Sequence, residues 1–201
     1  MIAGFLRRRR AQRLANGDRG VAMVEMAIVT PFLALLVAGI VEYGTLWRDD
    51  LTVTSATRSA ARVISNAGDA EGADYEGILS LRAALTSIDG VTVEGMMVYR
   101  ATSADGEPHA SCFSSGNPVS SSSWCNYYSP AQLQTLTPGD FSACTGPDAS
   151  WCPTSRDTAQ LGGTDNVGVW VRINRPYWTG IIPGTGVTIT DFTVMSIEPE
   201  Q

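Results

Sequence analysis

The residue type best suited to general acid–base chemistry occurs once, as His109 in "DGEPHASCF". That is a polar loop, and no G-x-S-x-G elbow or other recognisable triad element accompanies it in sequence. An exposed loop histidine is the better reading. The glycines of "LGGTDNVG" lack the lysine and the strand-to-helix setting of a phosphate loop. Asp140, Asp148, Asp157 and Asp165 could bind calcium loosely, but they do not have EF-hand spacing. The four cysteines, Cys112, Cys125, Cys144 and Cys152, contain no C-x-x-C pair of the kind a zinc site normally shows. All four lie beyond an apolar run. An even count exported to an oxidising compartment suits two disulfides. Pairing Cys112 with Cys125 and Cys144 with Cys152 needs the least chain ordering, although four cysteines allow three connectivities. Trp124, Tyr127, Tyr128 and Trp151 flank the cysteines, where packing against disulfides is the ordinary role. No catalytic residue, cofactor site or metal site emerges, and the chain reads as a non-enzyme.

A different chemistry is written near the N-terminus. In "GVAMVEMAIVTPFLALLVAGIVEYG", residues 20–44, Glu25 stands at the head of a nearly complete membrane span. An ionised carboxylate at the edge of hydrocarbon is costly unless it has a partner. A peptidase cutting after Gly20 would make Val21 the first residue and leave a new α-amino cation there. In a helix, residues one and five lie one above the other. Glu25 could then neutralise the amine of its own chain, or that of a neighbour packed alongside.

The elements that position these residues follow from the pattern. Residues 1–19 read as a disordered basic leader. Residues 21–47 are long and apolar enough to cross a bilayer, with Tyr43 and Trp47 suited to its far interface. Pro31 removes a backbone hydrogen bond and crowds the preceding turn, which predicts a helix kink. The helix should continue as a stalk to about Asn66 and stop near Gly68, with Leu51, Ala56, Ser59, Ala60, Val63 and Ile64 sharing a face. Residues 73–88 read as a second amphipathic helix with Ile78, Leu81, Leu85 and Ile88 inward. "VTVEGMMVYR" (91–100), "VGVWVRIN" (167–174) and "VTITDFTVMSIE" (187–198) read as strands. The long Ser/Gly/Pro/Thr-rich stretch from Ala101 to Asn166 holds every cysteine and needs the disulfides to stay ordered. The fold class is α+β: a long transmembrane helix with its stalk, then a small exported domain with an antiparallel sheet and a disulfide-bearing loop region. Three regions result: a basic cytoplasmic leader (1–20), the transmembrane helix and stalk (21–67), and an extracytoplasmic domain (68–201).

Charge supports this polarity. Residues 1–20 hold Arg7, Arg8, Arg9, Arg10, Arg13 and Arg19 against Asp18, a net +5, so the rest carries −11 of the overall −6. A basic end beside an apolar run is retained in the cytoplasm while the acidic body crosses. The acidic body argues against nucleic acid as a partner.

Gly20-x-x-x-x-Glu25 before a hydrophobic helix resembles the class III signal of type IV pilins. The Val24-Glu25 pair, Pro31 six residues after the glutamate, Glu42 before Tyr43, and the Ala/Arg-rich "SATRSAARVIS" resemble the TadE-like family, over roughly residues 17–67. The resemblance implies an accessory (minor) pseudopilin of the tight-adherence, Flp-type IV pilus system. It also implies processing by a prepilin peptidase between Gly20 and Val21, and other pilins, pilus assembly proteins and membrane lipid as partners. Major Flp pilins are very short and place tyrosine after the glutamate; here Met26 follows and the chain has 201 residues, which favours an accessory pilin. The alternative is an uncleaved single-pass anchor carrying an exported binding module or enzyme.

Overall fold

The computed structural model describes the backbone of residues 2–103, 106–142, 144–159, 163–180 and 182–198, with side chains from Gly20 onward. The first element, α1, is one helix from Ile2 to Ala67. The leader was expected to be disordered, but its backbone continues the helix. Arginine, alanine, leucine and glutamine are strong helix formers, and the first proline is Pro31. The arginine side chains of the leader lie outside the described residues. At the other end Gly68 adopts φ 58°, and its N–H returns to the Ile64 carbonyl at 3.1 Å, closing the helix with a left-handed cap. The chain divides into two compact units, Met1–Thr45 and Leu46–Gln201.

In the second unit, α1 buries Val53, Ala56, Thr57, Ala60, Ala61 and Ile64. This stripe shares Ala56, Ala60 and Ile64 with the expected face and departs from it elsewhere. Leu51 is 55% exposed and Ser59 is exposed, because the three- and four-residue steps from Val53 miss both positions. The second helix, α2 (Ala73–Leu85), turns Ile78, Leu81 and Leu85 inward, followed by buried Ile88. It stops three residues before the expected end, where the hydroxyls of Thr86 and Ser87 donate to the carbonyls of Ala83 and Ala84. Gly77 sits where a Cβ would overlap the Ile64 side chain, so the two helices approach closely there.

The three long strands form where alternation and β-branching predict them. In chain order the strands are β1 (Thr92–Ala101), β2 (Phe113–Ser114), β3 (Asn117–Pro118), β4 (Cys125–Tyr128), β5 (Asn166–Arg175) and β6 (Val187–Ser196). One antiparallel sheet has the order β4-β1-β5-β6. β2 and β3 make a small hairpin closed by Ser115 and Gly116, both at positive φ, as a two-residue type I′ loop requires. Between Ala101 and Asn166 the described residues are thus more ordered than the composition suggests. They supply the edge strand β4 and a short helix, α3 (Pro130–Thr135), started by a Ser129–Gln132 capping box.

Alternation along the strands separates two cores. Met96, Val98, Tyr128, Val167, Val169, Val171, Ile173 and Ile189 pack with α1 and α2 on one face. On the other, Met97, Tyr99, Ala101 and Trp170 pack with Cys112 and Cys125 under the β2–β3 hairpin. Disulfides join Cys112 to Cys125 and Cys144 to Cys152, with Cα atoms 6.1 and 5.4 Å apart. Opposite Tyr99 the strand needs a glycine, because a Cβ at Gly168 would enter the tyrosine ring.

Candidate functional site

The first unit presents the residues singled out for processing. From Gly20 to Val41 every side chain except Ala38 is exposed, including Val21, Glu25 and Pro31. A helix that apolar and that exposed needs lipid or other helices around it. The stretch starting at Gly20 is long and apolar enough to span a membrane. Val21 and Glu25 are four residues apart on a continuous helix, so they lie on one face about one turn, roughly 6 Å, apart. A Cβ at Gly20, Gly39 or Gly44 would meet nothing within 4 Å, so no packing inside the chain requires glycine there. Glu42, in contrast, is buried.

The second unit uses its polar residues for construction. His109 stacks on Trp124 at 4.0 Å with planes 9° apart. Its Nδ1 lies 2.8 Å from the Ser111 hydroxyl and accepts the Ser111 amide at 3.2 Å, capping the turn that leads into Cys112. The imidazole fastens the hairpin beside the Cys112–Cys125 bond. Asp140 accepts the amide and hydroxyl of Thr137, both at 2.8 Å, and these bonds lower its carboxyl pKa. Asp165 accepts Arg100 Nε and Nη2 at 2.9 and 2.7 Å and the Asp157 amide at 3.0 Å. Asp148 is buried. Among the described residues no three His, Cys, Asp or Glu side chains converge as metal ligands. In the glycine segment, Leu161 and Gly162 lie outside the described residues; its later part opens β5.

Sequence reasoning missed the buried polar centre of this unit. The Asp74 carboxylate accepts Tyr128 OH at 2.7 Å and Asn126 Nδ2 at 2.9 Å on one oxygen, and Arg156 Nη2 on the other. Both charged side chains are wholly buried. Arg156 also lies 4.4 Å from the centre of the Trp151 ring. Asn126 closes the set by bonding both the amide and the carbonyl of Trp151, at 2.8 and 2.9 Å. Burial, with the Asp74 charge beside it, pushes the Tyr128 phenol well above its ordinary pKa and keeps it a donor. The only local signal was an acid in the first turn of α2, which reads as a partner for the helix dipole. A second buried pair, Arg175 Nε to Asp49 Oδ2 at 2.8 Å, ties the end of β5 to α1. These groups hold elements together.

The geometry that stands out is therefore a bare apolar helix headed by Gly20 and Glu25. A family model described as "TadE-like protein" matches residues 20–62. Over these residues the chain is similar to TadE-like proteins. The match covers about a fifth of the chain, begins at Gly20, and runs past Glu25, Pro31 and Glu42 into the part of α1 that packs in the second unit. It points to involvement in Flp, or tight-adherence, pilus systems, and TadE-like pilus proteins are not typically enzymes. No curated protein matches the chain, and no solved structure does.

Proposed function

We propose that the chain is an accessory pseudopilin acting in tight-adherence pilus assembly. In this reading α1 crosses the cell membrane once, with the basic leader cytoplasmic and the second unit outside, as the charge asymmetry favours. A prepilin peptidase cuts between Gly20 and Val21. The observation that carries the reading is a TadE-like helix whose match starts at Gly20 and which places Glu25 one turn from Val21. The new α-amino group then has a carboxylate within reach, on its own chain or on a neighbouring pilin. Helix on both sides of the bond must open before it can be cut. Gly17 and Gly20 ease this, each weakening the helix by about 1 kcal/mol relative to alanine. Pro31 would kink the span by removing one backbone hydrogen bond. Other pilins, assembly proteins and lipid cover the apolar surface.

N-terminal mass spectrometry of the membrane-bound protein tests this. The mature form should begin at Val21, and replacing Gly20 with a bulky residue should leave the full-length form. Finding only intact chain in cells that contain the peptidase would refute processing.

A further inference from the structure

Three contacts set the register between α1 and the β5–β6 hairpin inside the second unit. The Glu198 amide donates to the Ser65 carbonyl at 3.2 Å, the Thr57 side chain bonds Asp191, and Arg175 pairs with Asp49 at 2.8 Å. Within the hairpin Asn166 opposes Ser196 at the open end and Arg175 opposes Val187 at the closed end. The hairpin therefore runs along α1 from Ser65 down to Asp49. The lengths agree: Asp49 to Ser65 is roughly 24 Å of helix, and Asn166 to Arg175 roughly 30 Å of strand. The loop closing the hairpin begins at Pro176, directly after the Arg175 that pairs with Asp49, and Asp49 is two residues from Trp47, where the apolar run ends.

Hairpin tips in water are usually polar. This one, "PYWTGIIPGTG", has no charged residue and exposes Trp178 by 73% and Ile182 by 38%. The charges at its base, Arg175 and Asp49, are paired and buried. Tryptophan and aliphatic side chains on an uncharged loop suit the headgroup boundary, where the ring stays partly wet and partly in hydrocarbon. We propose that this loop is a second membrane contact, with Trp178 and Ile182 entering the interfacial layer of the bilayer that holds α1. The proposal rests on the membrane-anchor reading above.

The test is the full chain reconstituted in phosphatidylcholine vesicles, with and without brominated acyl chains. Subtracting the emission of Trp178→Phe isolates Trp178. That difference should lose most of its intensity in brominated vesicles and little with aqueous iodide. Emission insensitive to brominated lipid overturns the proposal, whether iodide reaches the ring or a protein contact shields it. An alkaline wash separates the two failures: a chain washed from the vesicles refutes the anchor itself, while a retained chain with unquenched Trp178 refutes only the loop contact.

Discussion

At the scale of single residues the second unit depends most on Asp74, where three donors meet a carboxylate cut off from water. Replacing Asp74 with asparagine removes the ion-paired, hydrogen-bonded counter-charge of the buried Arg156 guanidinium, at a cost of about 3–5 kcal/mol. Denaturant unfolding of the full chain in detergent, followed by tryptophan emission, should show that loss. Asp148 works in the opposite direction. Burial, reinforced by the Asp74 charge, raises its carboxyl pKa. The folded state therefore holds the proton more tightly than the unfolded chain does. Its contribution to stability falls as pH rises from the ordinary carboxyl value of 3.8 through the raised one, and is fully unfavourable above it. Asp148→Asn should raise the melting temperature at pH 7 and flatten that part of the pH–stability curve, with little effect near pH 3. Glu25 presents a third case, which follows from the proposed pairing with the new Val21 amine on its own chain or a neighbour. Glu25→Gln should still be inserted and cut, because only the charge is removed. Lateral association with other pilins should fail, since an unpaired amine at a packed helix interface costs about 3–5 kcal/mol. Co-purification with pilus components, beside the N-terminal sequence, checks it; normal incorporation of the correctly processed variant would remove the mechanism.

At the scale of elements, glycine plays two distinct roles. Gly77 lets α2 approach α1, and Ile64 on the facing helix is fully buried and cannot swing aside. Gly77→Ala should therefore destabilise the second unit by about 1–3 kcal/mol through overpacking, despite improving helix propensity. Gly39 has open space around it, so Gly39→Ala should leave thermal unfolding of the second unit unchanged. Comparing the two variants by circular-dichroism melts separates packing from propensity. Long elements were legible because their periodicity repeats: α2 and the strands β1, β5 and β6 fall where the pattern predicts. β4 was not. Four residues, two of them aromatic and one a cysteine, give too short a run to show alternation, and their pairing with β1 is decided across 26 or more positions of chain. The stalk face was legible only in part, for a related reason: Ala56, Ala60 and Ile64 are buried as expected, while Leu51 and Ser59 are exposed. In a run rich in alanine, serine and threonine, a one-residue shift of the buried stripe changes little in composition.

At the scale of the whole molecule, the second unit is held by two cores on either face of one sheet, with a disulfide inside the smaller one. The double variant Cys112→Ser/Cys125→Ser should lose about 3 kcal/mol, the chain-entropy value for a loop of this size. Melts of the full chain with and without reductant should show the reductant effect shrink in the variant.

The sequence by itself determined whatever depends on local composition and period: the apolar span, its polarity in charge, Gly20 and Glu25 at its head, the helix stop at Gly68, and the three long strands. These features need only near neighbours along the chain. The tertiary structure alone decided which distant polar groups meet. Asp74, Asn126, Tyr128 and Arg156 come from α2, β4 and a loop, and Asp49 and Arg175 are separated by 126 positions. A charge is tolerable inside a protein only when its partner arrives with the right geometry. That geometry is a property of the packed sheet and helices, and no single stretch of the sequence contains it.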